Sequence, residues 1–374
     1  GSEKGAAVTD KRPGKTVGWR VVSVGRGEIQ ASQAEQIATG GVPAELPALR
    51  VEPEFESALG QAPFLTSSYG DGSSVQIFDR TGRSTWWQYS DDDMDTSDVR
   101  LSRDQSSILW MTQANDRDSA TSNIRRISWD GRTIEDTAVG TAQRDFVELP
   151  EGGYGFCMLD VREHEGYAVV GDAIGEMPRG GDLDADLKIV WSTWDDIEVE
   201  VDPEIDDGFY PQGVDWIHCN GLIYDESEGA YYMSSAALGS LLKVDRARGK
   251  LEWAFGGGNS DFKLTSGETF SVIHSPELTA AGVRLFDNGE YALNEIDRTA
   301  EEIWSYDADD RYGTNVLGDI AAMPDGNIQI SWGDDGYYQQ IDFEGNELWG
   351  GAMTIGNIAG FVHPLAQLGG PVAE

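Results

Sequence analysis

His218 and Asn220 stand two residues apart in the stretch DWIHCNGLIYD, and His274 follows in FSVIHSPEL. On an extended strand, residues two apart point the same way, so this pair presents an imidazole and an amide to one surface. One neutral imidazole can serve as nucleophile or base and a second as proton donor, while an amide N–H can stabilise negative charge developing on an oxygen. A lone histidine near a tryptophan such as Trp216 is ordinarily a satisfied polar residue in a half-buried strand. Here the register of a repeat sets the histidines apart.

A unit of the form apolar, Asp, two residues, Gly, a few residues, Trp recurs along the chain. It appears as VQIFDRTGRSTWW from Val75 to Trp87, IRRISWDGRTIED from Ile124, a degenerate LKIVWSTWD from Leu187, and LLKVDRARGKLEW from Leu241 to Trp253. A shortened RTAEEIW ends at Trp304 and YQQIDFEGNELW ends at Trp349, making six in all. Each reads as a hairpin around a tight turn in which glycine supplies a positive φ. Each is preceded by another strand pattern, such as PFLTSS, GAYYMSS or GNIQISW. Four strands per unit, repeated six times at roughly 50-residue spacing, predict an all-β, six-bladed β-propeller. A β-sandwich would give no reason for a tryptophan at the same place in each unit. After Trp349, the tail GGAMTIGNIAGFVHPLAQL holds one more copy of the segment that precedes each inner strand, which the first hairpin lacks. The C-terminal tail is therefore expected to complete the first blade and close the ring. Residues 1–18 read as a disordered lead-in, Gly18 to Val24 as a strand, Ala31 to Ala38 as the one short helix, and 19–374 as a single propeller domain.

Aligning the segments that lead into the inner strands places Asp98, Arg144 with Asp145, His218 with Asn220, His274, Asp319 and His363 at matching positions. Three of the four histidines thus share one register of a six-fold repeat, and residues so placed converge at one mouth of the axial channel. His274, His218, Asn220 and Arg144 are the candidate catalytic residues. Asp98, Asp145, Asp319, His363 and Trp216 are candidate substrate contacts, and His164 reads as solvent-exposed. Such a cluster suits an anionic group in transfer. The same residues could instead hold a divalent metal through two or three histidines and a carboxylate, and spacing does not separate the two readings.

The chain carries 27 Lys and Arg against 66 Asp and Glu, a net charge of −39, which argues against nucleic acid or an anionic membrane surface as partner. No apolar run approaches a membrane span, so no membrane insertion is expected. A small aromatic or anionic molecule is the expected partner. Gly1-Ser2 reads as a cloning remnant, and an exported protein, periplasmic or extracellular with its signal peptide removed, is the expectation. Cys157 and Cys219 are too few for a disulfide framework and lack zinc-site spacing, so they are one disulfide or two buried thiols. Alternating acids in SDDDMDTSD, DLDADL and DADDR could hold Ca²⁺ but lack the glycine and distal glutamate of a helix-loop-helix site, and read as solvated loops. No GxSxG, HExxH or CxxC is present.

The strings DWIHCNGLIYD, YYMSS, LLKVDRARGKLEWAFGGGNSDF, FSVIHSPEL and LFDNG resemble the bacterial arylsulfotransferases that work without a nucleotide sulfate donor. The resemblance covers most of Phe64 to Trp349 and is most specific over Asp215 to Gly289. It implies a six-bladed propeller that takes a sulfuryl group from a phenyl sulfate onto a histidine and passes it to a second phenol, with no cofactor required. By motif position, His274 matches the sulfurylated histidine, and His218 with Asn220 matches the family's His-x-Asn pair. The chain departs from the pattern twice. After the paired serines Ser234 and Ser235 it has Ala236 in place of the usual arginine, and before the Asp-Phe pair it has Arg144 in place of a histidine. Either the charge has moved from one blade to another, or the scaffold serves other chemistry. The alternatives to sulfuryl transfer are a lyase, isomerase or hydrolase using the paired histidines, with or without Ca²⁺ or another divalent metal, and a non-catalytic ligand-binding propeller.

Overall fold

The computed structural model describes residues 42–366, apart from residue 45 and the stretches 56–61, 70–72, 91–93, 115–121, 202–208, 268–269, 271–272, 287–288, 309–313, 315–316 and 355–357, together with the backbone of four short strands ahead of them. Six largely antiparallel sheets form a ring, a six-bladed β-propeller. Blade 1 is Ile358–Pro364, Phe64–Tyr69, Ser74–Phe78 and Ser84–Tyr89, so a strand from the C-terminal tail supplies its innermost position and closes the ring. The innermost strands of blades 2 to 6 are Met94–Leu101, Ala142–Glu148, Cys219–Asp225, His274–Leu278 and Asp319–Ala322. Each comes from a segment whose polar register the sequence had aligned.

A blade buries its apolar faces only against its neighbours, and six hydrophobic clusters fill the six gaps between blades. The repeated tryptophan contributes to this seam. Trp349 of blade 6 donates its indole N–H to the carbonyl of Arg80 in the blade 1 turn at 2.7 Å, and Trp304 of blade 5 donates to Phe343 in the blade 6 turn at 3.0 Å. The Asp at the start of each turn also has a local reason. Asp79 Oδ1 accepts from the N–H groups of Thr81 and Arg83, and Asp342 Oδ1 from those of Glu344 and Asn346.

Three local expectations differ from the structure. Glu28–Ala31 and Glu35–Ala38 are strands, not a helix, and Glu35–Ala38 pairs with Thr16–Trp19. The lead-in expected over 1–18 therefore ends in a strand, and its first 15 residues lie outside those described. In blade 3, LKIVWSTWD is not a hairpin. Lys188–Ser192 is a single outer strand followed by the one-turn helix Thr193–Asp196, which Ser192 caps, and DLDADL supplies a second such helix, Leu183–Asp186, capped by Asp182.

Blade 3 is also enlarged. Its middle strands Gly153–His164 and Tyr167–Pro178 run on as a long hairpin, and the two-residue strand Val214–Asp215 pairs parallel to Val169 and Val170 on it. His164 sits half-buried near the end of this hairpin with its ring 6.3 Å from Trp194, rather than in open solvent. Cys157 on the hairpin is disulfide-bonded to Cys219 at the start of the innermost strand of blade 4, both fully buried. The bond staples neighbouring blades and closes a loop 62 residues long. Replacing both cysteines by alanine is expected to lower unfolding free energy by about 2–4 kcal/mol in urea titrations. An unchanged midpoint would show that the seam holds without it.

Candidate active site at the channel mouth

The innermost strands lose register at the same end of the channel. Bulges interrupt the pairing between Ala142 and Phe146 in blade 3, Cys219 and Gly221 in blade 4, and His274 and Glu277 in blade 5. Arg144 and His218 there adopt φ of 64° and 55°, a left-handed conformation that costs a non-glycine residue about 1–2 kcal/mol. Such bulges re-aim side chains. Gly221 has a separate role, because a Cβ there would lie 2.4 Å from Pro276 Cδ. Its absence lets blade 4 approach blade 5 closely enough for Asn220 to reach His274.

Two linked pairs result. Arg144 Nη2 donates to His218 Nε2 at 3.0 Å, and His218 Nδ1 meets Asp215 Oδ2 at 2.5 Å. Arginine has only donors to offer, so Nε2 must accept and Nδ1 carries the proton that Asp215 receives. Phe209 lies against both, 4.7 Å from the His218 ring and 4.9 Å beneath the Arg144 guanidinium. In the second pair, Asn220 Nδ2 donates to His274 Nε2 at 3.0 Å and also approaches the carbonyl of Ile273 at 3.4 Å, while Asn220 Oδ1 is buried with no partner. Burial, with the positive charge of Arg144 adding to it, holds the His274 pKa down at about 3. Its ring is therefore neutral at pH 7.

Behind this layer, buried carboxylates tie blade 3 to blade 4. Asp172 accepts from Gln143 Nε2 at 2.6 Å and from the backbone N–H of Cys219 at 2.8 Å, and burial raises its pKa to about 7. Asp145 Oδ2 accepts from the N–H of Leu222 at 2.6 Å.

Asp98, Asp145, Asp319 and His363 gather lower on the axis, around a cavity of about 400 Å³ to which all six blades contribute. Arg100 sits among them, bound to Asp98 at 2.6 Å and Asp145 at 2.5 Å beneath the Phe146 ring. Burial lowers His363 to about 4, raises Asp319 to about 7 and pushes Asp145 well up despite Arg100. Asp319 also ties blade 6 to blade 1 through the N–H of Val362 at 2.6 Å.

The nine residues singled out from the sequence thus divide into two groups and an outlier. Arg144, His218, Asn220 and His274 come together at the mouth, whereas Asp98, Asp145, Asp319 and His363 form the axial group. Trp216 packs into the core between blades 3 and 4 at 3% exposure while one side lines a cavity beside His218. Sequence reasoning missed Asp215, although the spacing Asp-x-x-His stood in DWIH, and it missed Phe209 and Arg100, which carry no repeat signal. Among the described residues no group of three or more His, Cys, Asp or Glu is arranged to hold a metal ion.

The arylsulfotransferase (ASST) family profile matches residues 63–290. The chain belongs to that family. The match runs from the second strand of blade 1 into blade 5 and takes in both pairs at the mouth. No curated protein matches the sequence. Among solved structures, a protein of unknown function from Bacteroides caccae is similar at 14% identity, with 82% of this chain and all of that one covered and a TM-score of 0.52. The β-propeller domain of Cps50 (Swd1) from Myceliophteria thermophila is similar at 10% identity, with 87% and 98% covered and a TM-score of 0.48. At 14% identity the likeness to the Bacteroides caccae protein speaks to fold alone.

With four histidines, the titration is directly observable by NMR. His274 and His363 are expected to stay neutral at pH 5, with midpoints near 3 and 4. Because their folded pKa values lie below the unfolded value of about 6.5, each contributes stability that is full above that pH and lost as pH falls toward its folded midpoint. A His274 midpoint near 6.5 would show a solvated ring and contradict the burial argument.

Proposed function

We propose that the protein transfers a sulfuryl group from an aryl sulfate to a phenolic acceptor through a sulfated His274. The carrying observation is the neutral His274 ring, oriented by Asn220 and set beside the Arg144–His218–Asp215 chain. The family's usual arginine is Ala236 here, and Arg144 reaches His218 from the neighbouring blade, which supports the reading that it supplies the missing charge. In the first half-reaction the Asn220 amide turns from His274 Nε2 to a sulfuryl oxygen, and the freed Nε2 lone pair forms the N–S bond as the aryl O–S bond breaks and the phenolate leaves. Arg144 and the Asn220 amide donate to the sulfuryl oxygens, where charge is held in transit. Once Arg144 turns to those oxygens, His218 Nε2 is released. In the second half-reaction the acceptor oxygen attacks sulfur, the N–S bond breaks, and the phenolic proton passes to His218, with Asp215 stabilising the imidazolium. The base is thus the Asp215–His218 pair, while His363 and Asp145 sit in the axial group. The transfer as written draws on protein groups alone. Family membership and a structural disulfide support an exported protein, since such bonds persist in oxidising compartments; no described helix is long and apolar enough to cross a membrane.

Intact-protein mass spectrometry after mixing with a chromogenic aryl sulfate tests the covalent step. The wild type is expected to gain one sulfuryl group with a burst of phenol, and His274→Ala to show neither, with turnover down at least about a thousandfold. Equal phenol release by the variant would sink the histidine intermediate. Asp215→Asn is expected to leave the burst in place while slowing the acceptor-dependent step about a hundredfold or more, through loss of the required tautomer. Equal slowing of burst and acceptor step would remove Asp215 from the base role.

A further inference from the structure

A second cavity, of about 900 Å³, opens beside His218 between blade 4 and the segment 196–201. Its volume falls in the range that holds a small organic molecule. Leu238, Leu242, Leu251 and Ala254 give it apolar walls, and Ala236 lies on it where a family arginine would add bulk and positive charge. Among its described lining residues are five carboxylates, Asp196, Glu198, Glu200, Asp215 and Asp261, and no lysine or arginine.

The five are not equivalent. Asp196 is committed to Lys250, the N–H of Leu251 and Trp191, and Asp261 Oδ2 to the N–H of Ala254. Exposed Glu198 and Glu200 have no ion-pair partner among the described residues. Asp215 holds His218 with Oδ2, and its Oδ1 is buried with no partner. Trp216, 3% exposed and on the same wall, has an unpartnered indole N–H. Apolar walls and uncommitted carboxylates at the rim are complementary to an aromatic ring with a cationic tail.

We propose that this cavity is the acceptor subsite of the transfer reaction and that it takes phenols bearing an alkylammonium group. The inference rests on the sulfuryl-transfer reading and names its acceptor class. It also sorts the two substrates of a ping-pong reaction by charge. The anionic donor is drawn to Arg144 and repelled by the carboxylates, while the cationic acceptor is drawn to the carboxylates and kept from Arg144.

Calorimetric titration of the whole chain with tyramine, 4-ethylphenol and 4-hydroxyphenylacetate at fixed salt tests the selectivity without turnover. Tyramine is expected to bind at least about tenfold more tightly than the neutral phenol, and the anionic one more weakly still. Glu198→Gln/Glu200→Gln is expected to remove most of that gap, whereas Glu301→Gln/Glu344→Gln, a charge-matched pair elsewhere on the surface, leaves it intact. Equal affinity for the three phenols, no binding of tyramine, or a gap that survives in Glu198→Gln/Glu200→Gln would overturn the proposal. The phenol burst without acceptor reports on the transfer reading separately. A burst with no preference for tyramine sinks only the acceptor class. A preference with no burst sinks the transfer reading and with it the acceptor role.

Discussion

The carboxylates of Asp145 and Asp172 reach from blade 3 to the backbone N–H groups of Leu222 and Cys219 on blade 4. Without them, the strand that carries His218 and Asn220 would leave two buried donors facing a neighbouring blade with nothing to accept them, and a buried orphan donor costs about 1–3 kcal/mol. The same seam holds the largest inter-blade hydrophobic cluster and the Cys157–Cys219 bond. It is fixed more heavily than a propeller needs for closure alone. The reason lies one layer up, where Arg144 and His218 sit in left-handed backbone conformations that persist only if their surroundings over-determine them. The site depends on a rigid seam because its own backbone is strained.

Charge gives a second constraint. A chain of net charge −39 repels an anionic substrate at long range, so any affinity for an aryl sulfate has to be created locally. Phe209 and the neighbouring blade shelter the Arg144 guanidinium from water, which strengthens its field at short range. Burial keeps His274 neutral, so under the proposed transfer its attack on sulfur would add no competing charge and need no deprotonation. Lower on the axis the polar residues are spent on one another. Arg100 bridges Asp98 and Asp145, and Asp319 serves the backbone of Val362. That group lines an axial cavity with charges tied to one another and to the backbone, and its members stay apart from the mouth although their sequence register is the same.

The legible part of the chain was the part governed by periodicity. Hairpin turns with a fixed Asp and Gly, a tryptophan that reaches into the next blade's turn, and a tail that supplies a missing strand are all consequences of six-fold repetition, and each left a mark in the sequence. The register of the histidines was legible for the same reason. Depth along the axis was not, because a bulge re-aims a side chain without changing its place in an alignment, and so Arg144 and Asp145, adjacent in sequence, belong to different layers. Asp215 was within reach three residues before His218, but its role depends on a two-residue parallel strand docking on the blade 3 hairpin, a contact that no local pattern encodes. The short strands near residue 30 misled for the opposite reason, since ASQAEQIA has helical propensity and is held as strand by pairing with Thr16–Trp19.

Under the proposed transfer, Arg144 stands in for the arginine that the family resemblance implies at position 236, and this has a consequence beyond conserving charge. An arginine on the blade 4 hairpin would stand on the wall of the cavity beside His218, among its carboxylates, and be neutralised by them. Moved to blade 3, the guanidinium faces the mouth from the opposite side of His218, and the carboxylates are left without an internal cation. One imidazole then divides a positive half-site from a negative one. That division is what a reaction needs if the group in flight is an anion and the molecule receiving it is not.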